Sequence, residues 1–446
     1  MASIVVLLII VGCAVFQFFK GTIVRAFATI VVAIFACVIA FGFFEILADT
    51  LIKRGDSGSM LSLVPWAQSL SFLLLFILTF AVLQTAIVQL TRKGIDLGFL
   101  PERIGRPILG LILGLIVSGV LLTFLALAPL PNEYPYPRFE ERNIRLDSPD
   151  KVFPNVDGLV TSLFSLISSG SFSGKRSFAG VHPNYLNQVY LNRLDRDVSL
   201  VSGVSPAIEV PRDAAVWPAT DAVKKQVEEL ISKGQLSRSP GKPVESRYDI
   251  MVARIGFKGT AFKSDSKIDG GKFTLSQLRL ICMSRGYDSD TLSGKGQNVY
   301  PIGYLGSASQ IETGLKIELN RNDLSRNSSV VYKDFLFAVP SGFVPAVVEF
   351  KLNNIVQIPT NAVLNDASQA PPAGGYNRDQ DTQIPNISPP ENPENQGTTN
   401  SEQNQNQQRP QSETEGTNQP NNTPTGQSTA ERITESLTGL DFDEDQ

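Results

Sequence analysis

Few side chains in this 446-residue chain have the types and spacing for covalent chemistry. The pattern nearest to one is Gly55-Asp56-Ser57-Gly58, the core of a serine-nucleophile motif. A serine attacks only when a base, ordinarily a histidine held by a carboxylate, takes its proton. The single histidine, His182, follows Ser57 at long range, whereas in this motif class it precedes the serine, and Ser57 falls in a short loop between two apolar stretches. Arg54-Gly55-Asp56 in the same loop is taken as a chance adhesion motif. Gly170-Ser171-Phe172-Ser173-Gly174-Lys175-Arg176 has the look of a phosphate loop but lacks its first glycine and the hydroxyl residue after the lysine, so a serine-rich loop is expected. Cys13, Cys37 and Cys282 with one histidine cannot assemble a Cys/His zinc site, although a carboxylate site stays open. The expectation is a protein that is not an enzyme, with no catalytic residues, no cofactor and no metal.

Whatever these residues do, they are positioned by a block of four apolar stretches: Ile4 to Phe19, Thr22 to Leu47, Trp66 to Leu90 and Pro107 to Leu130. About 20 mostly apolar helical residues cross a bilayer, so four transmembrane helices are expected. The first stretch lacks the basic start and small-residue cleavage site of a signal peptide and is read as a retained helix. Polar groups inside the block are few: Gln17, Gln84, Gln89 and Glu45, the last near enough to a helix end to reach the interface. A channel or pump usually needs charge within the membrane, so none is indicated. Helix four repeats small residues as Gly110, Gly114 and Ser118, a spacing that lets two backbones approach closely. Packing within the bundle is favoured over a self-association seam.

The Lys20-Gly21-Thr22-Ile23-Val24-Arg25 turn, the Gln-Leu-Thr-Arg-Lys end of helix three, and Glu102-Arg103-Ile104-Gly105-Arg106-Pro107-Ile108-Leu109-Gly110-Leu111-Ile112-Leu113-Gly114 together resemble the colicin V production protein family of bacterial inner-membrane proteins. The resemblance covers roughly the first 130 residues, and the motif positions it carries over are Lys20, Gly21, Arg103, Gly110 and Gly114. It implies a four-span module linked to colicin V production or export and to envelope homeostasis. Arg25, Leu113 and Ser3 stand where family members often have ionisable groups of other kinds, so no proton- or ion-handling role carries over. Such modules can be joined to trypsin-like proteases, but the residue order around Ser57 does not fit that chemistry.

Six basic residues on the face holding Lys20, Arg25 and the 3–4 loop (Arg92, Lys93, Arg103, Arg106) stand against five on the other (Lys53, Arg54, Arg138, Arg142, Arg145). Discounting the last three, which lead into a long domain, places both termini and the soluble part outside the cytoplasm of an inner-membrane, multi-pass protein. Trp66, Tyr134 and Tyr136 would then form an interfacial aromatic belt.

Residues 131–243 begin with Pro131, Pro135 and Pro137, which with Pro129 end helix four. They should then form helices at 156–167, 184–194 and 222–232, the last capped by Asp221 and stopped by Gly234. The first pairs an apolar face with a Ser, Thr and Asp face free of Lys and Arg, which favours packing on protein over anionic lipid. Residues 244–365 alternate with strand period in six or seven runs, 248–257, 272–283, 299–305, 314–319, 330–339, 346–352 and 355–358, which points to an antiparallel β-sandwich. Within the second, Cys282 shares parity with Leu278 and Leu280 and should be buried. Residues 366–446 carry 14 acidic and 3 basic residues among Asn, Gln, Pro, Thr and Ser, and should be disordered. The fold class expected is therefore a membrane α-helical bundle, then a mixed region of short helices and β-sandwich, then a disordered tail. Its partners would be the lipid bilayer and a membrane or envelope protein, or a second copy through helix four, with no nucleic acid. A transporter accessory subunit and a membrane-tethered hydrolase are the alternatives to a scaffold.

Overall fold

The computed structural model describes residues 2–371 except 21, 56–60, 91–97, 141–143, 145, 147, 170–176, 196–197, 237–247, 260, 263–270, 291, 293–295, 307–308 and 320–329. Ser57, the 170–176 loop, Gly21 and nearly all of the acidic tail therefore lie outside the described residues. Four helices, α1 (Ala2–Lys20), α2 (Ile23–Gly55), α3 (Ala67–Leu90) and α4 (Phe99–Leu127), are long and apolar enough to cross a membrane. α4 begins at Phe99, well before the expected Pro107, which sits in its interior instead. Pro101 occupies its first turn, where a missing N–H costs nothing, and Glu102 lies at the positive end of the helix dipole. Its end is set by Pro129, which pushes Ala128 into extended geometry.

The four helices pack as two antiparallel pairs. In α2 and α3, the Phe41 and Phe72 rings meet at 4.9 Å and Gln84 Nε2 donates to Thr29 Oγ1 at 3.2 Å. α1 and α4 touch through glycine: a Cβ on Gly110 would sit 2.6 Å from the Cα of Ala14, and one on Gly114 2.6 Å from the Cα of Ile10. One turn further, a Cβ on Gly119 would meet the Val156 carbonyl of α5 (Val156–Ser169). α5 thus lays its apolar face on the bundle, with Phe164 stacked on Phe41 at 4.8 Å.

Beyond α5 come α6 (Phe178–Val181), α7 (Tyr185–Asn192) and α8 (Asp221–Ser232). Asp221 is the first helical residue of α8, not its cap; Thr220 takes the cap position in extended geometry. Gly234 does end the helix, at φ +65°, with Gln235 N donating to Leu230 O.

Twelve strands lie among the described residues, two before α8 and ten after it where six or seven were expected. The larger antiparallel sheet contains β1 (Ile208–Glu209), β2 (Val216–Pro218), β3 (Tyr248–Lys258), β7 (Pro301–Leu305), β8 (Ile311–Glu312) and β10 (Val330–Pro340). A second has the order β12 (Asn354–Gln357), β11 (Phe343–Phe350), β5 (Leu278–Ser284), β6 (Gly296–Val299), while β4 (Gly271–Thr274) pairs with β9 (Lys316–Leu319). Two expected strands are each split. The 272–283 run breaks at a 3-10 turn, Leu275–Gln277, because Thr274 and Gln277 form a capping box that turns the chain. The 299–305 run breaks at Tyr300, where the chain passes from one sheet to the other. Side chains of both sheets share one core, in which Phe257 meets Phe350 at 5.2 Å, and Cys282 is fully buried there.

Packing is continuous across residue 130. One cluster of buried side chains joins Phe41, Phe44 and Phe72 of the bundle to Tyr185, Tyr190, Tyr300 and Leu352. Gln68 Nε2 donates to the Leu352 carbonyl at 2.5 Å. Phe153 N donates to Ser3 Oγ at 3.2 Å, so the start of α1 and the extramembrane part lie on one face of the bundle. Tyr136, expected in an aromatic belt, is buried in protein instead, its hydroxyl donating to Asp157 Oδ2 at 2.5 Å.

Candidate functional site

Ten residues before the end of α2, Glu45 reaches the only histidine: its Oε1 lies 2.9 Å from His182 Nε2. His182, the residue that ends α6, is 3% exposed, with Nδ1 3.1 Å from Gln188 Oε1 and 3.0 Å from Arg279 Nη2. Behind it, on adjacent strands, Arg279 of β5 and Glu349 of β11 are register partners, and Arg279 Nη2 donates to Glu349 Oε2. Gln188 Nε2 donates to the other oxygen of Glu349, and Arg279 Nη1 donates to Asn298 on β6, whose amide in turn donates to the Pro183 carbonyl. The result is one hydrogen-bonded path from a membrane helix, through a histidine, into the centre of a sheet.

The protonation state follows from the partners. An N–H of Arg279 could use Nδ1 only if that nitrogen held a lone pair, whereas Gln188 Oε1 can only accept a proton from it. Arg279 Nη2 gives one N–H to Glu349 and keeps a second beside Nδ1, which opposes a charged ring, but both Glu45 and Gln188 present oxygens to it. The arrangement therefore suits the imidazolium, donating from both nitrogens. Burial alone would lower the His182 pKa, but the Glu45 and Glu349 carboxylates outweigh it and raise it overall. Burial raises the Glu349 carboxyl as well, opposed by Arg279 and His182. With both ring nitrogens engaged and the ring enclosed, the geometry suits a bridge and offers no free nitrogen for proton transfer.

A second cation holds the other end of the interface. Arg193, just past α7 and 2% exposed, donates to five carbonyls: Leu125 and Ala126 at the end of α4, then Leu130, Pro131 and Tyr134. The first two are groups a helix end leaves without partners, and the negative end of the helix dipole favours a cation there. Burial lowers Arg193 to about 10, so it stays charged at neutral pH. Alongside, Arg138 Nη1 donates to the Tyr136 hydroxyl at 3.1 Å and its Nε to Asn187 Oδ1 at 2.8 Å.

The residues singled out in the sequence are dispersed. Gly110 and Gly114 lie on the α1 contact, and Ser118 is fully buried with its hydroxyl returned to the Gly114 carbonyl at 2.6 Å. Lys20 ends α1, and Arg103 is exposed at the start of α4 over the Phe99 ring. None of these meets the His182 path. Among the described residues no group of three or more His, Cys, Asp or Glu is placed to hold a metal ion. The path itself was partly visible: Arg279 and Glu349 each interrupt apolar strand runs, Leu278-Arg279-Leu280-Ile281 and Val347-Val348-Glu349-Phe350, and charges there must pair.

Compared with family models, curated proteins and solved structures, the chain finds no match.

Proposed function

We propose that this chain is an integral membrane scaffold or interaction protein of the bacterial envelope, of the colicin V production type, with its extramembrane domain outside the cytoplasm. The observation that carries this reading is the Glu45–His182 contact, continued through Gln188, Glu349 and Arg279, which fixes a β-rich domain to a membrane helix. A flexible tether needs no such buried ionic path, whereas a rigid platform that presents a surface at fixed height and angle over the bilayer does. The core shared by Phe257, Phe335 and Phe350 supports reading the sheets as a sandwich, a common partner-binding module. The occupied nitrogens of His182 support a structural role over a hydrolase.

One observation favours the accessory-subunit alternative: an apolar cleft of about 320 Å³ between α2 and α3, lined by Leu51, Leu63, Val64, Leu70 and Leu74, suits a second protein's transmembrane segment. Co-purification in mild detergent separates the two. Recovery of the chain with itself or with a non-transporter envelope protein is expected. A stoichiometric transporter in the preparation would replace the scaffold reading with the accessory one.

A further inference from the structure

α5 turns a hydroxyl face away from the bundle, with Ser162, Ser165 and Ser169 at helical spacing, and that face forms one wall of a groove of about 1090 Å³. Across from it lie Asn184 at the start of α7 and Gln297 on β6; Asn187 and Asn298 also line the groove but are held by Arg138 and by Arg279 and Pro183. The described lining contains Arg138 and Lys151 but no Asp or Glu. The chain leading into Lys151 runs beside Arg138, since Asp150 N donates to the Arg138 carbonyl at 3.0 Å.

The volume lies just above the roughly 300–1,000 Å³ of small-ligand pockets, and the lining is more polar than theirs, which is mostly apolar. An acyl chain or apolar peptide would strip water from these hydroxyls and amides without replacing their hydrogen bonds. A nucleic acid would call for more than two cations along its phosphates. A sugar ring, by contrast, carries several hydroxyls that both donate and accept, matching serine hydroxyls and Asn or Gln amides that do the same. A carboxylate on such a chain would complement the exposed Lys151, while Arg138 is held in the groove wall by Tyr136, Asn187 and the Asp150 carbonyl. We propose that the groove between α5 and β6 is a saccharide site that takes two or more rings of an acidic glycan. This goes beyond the scaffold reading and does not depend on it.

The test is calorimetric titration of the whole chain, in phosphatidylcholine nanodiscs, with tetragalacturonate, and separately with neutral chitotetraose. Saturable binding of the acidic tetrasaccharide is expected with Kd in about the 0.1–1 mM range, weaker for the neutral one. Ser162→Trp, which fills the groove from an exposed position, and Lys151→Glu should each weaken binding by about tenfold or more. Their unfolding temperatures should match the parent, which separates a lost site from a lost fold. Absence of saturable binding, indifference to both variants, equal or tighter binding of chitotetraose, or full displacement of the glycan by phosphatidylglycerol vesicles would each overturn the assignment.

Discussion

His182 Nε2 sits 2.9 Å from Glu45 Oε1, joining a side chain of an extramembrane turn to one on a membrane helix. The ring is enclosed, with Gln188 Oε1 and Arg279 Nη2 both beside Nδ1, and its contact with the Glu45 carboxylate is strongest when the ring is charged. Its stability therefore depends on pH with a definite sign.

The folded state holds the His182 proton to higher pH than the unfolded chain, whose value is about 6.5. Its contribution is thus complete below about 6.5 and is lost as pH rises through the raised folded value. The raised Glu349 carboxyl acts with the same sign, beginning from its ordinary 4.5. Arg279 opposes both shifts, and Tyr185, the remaining titratable neighbour, has its hydroxyl pushed upward by burial and does not ionise in this window. Thermal unfolding in detergent should show a midpoint that falls as pH rises above about 6.5. In His182→Gln the fall should flatten. A variant as steep as the parent would assign the pH dependence elsewhere.

Glu349 and Arg279 form a buried pair, and removing one leaves the other unpaired in the sheet core. Glu349→Ala should destabilise by about 3–5 kcal/mol. The double variant Arg279→Met, Glu349→Leu should recover much of that loss, because neither member of the pair is left without the other. Additive losses in a double-mutant cycle, measured by denaturant unfolding, would remove the pairing claim.

Arg193 should tolerate no substitute. Lysine keeps the charge but has a compact ammonium, which cannot span carbonyls from Leu125 to Tyr134 as the planar guanidinium does. Arg193→Lys is expected to cost on the order of 2–4 kcal/mol, and Arg193→Met more, since charged hydrogen bonds contribute about 1.5–3 kcal/mol each. Proteolysis after Leu130 should accelerate in both. Parent-like protection in Arg193→Lys would reduce the residue to a generic cation.

The membrane helices were legible because long apolar runs leave little choice of structure. Where sequence reading went astray, tertiary context decided. Pro107 looked like a helix start, yet Pro101 takes the first turn and Pro107 is carried inside α4. A strand pattern over 272–283 is locally sound, but it continues through Leu275–Gln277, where side-chain capping turns the chain. β1, β2 and β8 are two or three residues long and exist only because a neighbouring strand offers an edge. Glu45 could be noted as a polar residue near a helix end, and His182 as a solitary histidine. Nothing local to either signals that the fold brings them together.

The α1–α4 contact gives the last prediction. Cβ atoms at Gly110 and Gly114 would lie 2.6 Å from backbone Cα atoms of Ala14 and Ile10, which cannot move aside as a flexible side-chain end could. Gly110→Leu and Gly114→Ile must therefore push the helices apart and lose the packing that association in lipid depends on. Leu115 is half-buried and already carries a side chain, so Leu115→Ile should be nearly neutral. Gly119→Ile should act differently, because its neighbour is the Val156 carbonyl of α5. It should loosen α5 and expose Phe164 while leaving the α1–α4 spacing intact. A disulfide between cysteines placed at Leu109 and Ala14 reports that spacing: it should form in the parent background and in Gly119→Ile, but slowly in Gly114→Ile. Equal thermal tolerance at positions 110, 114 and 115 would show that the close approach of the two backbones contributes nothing to stability.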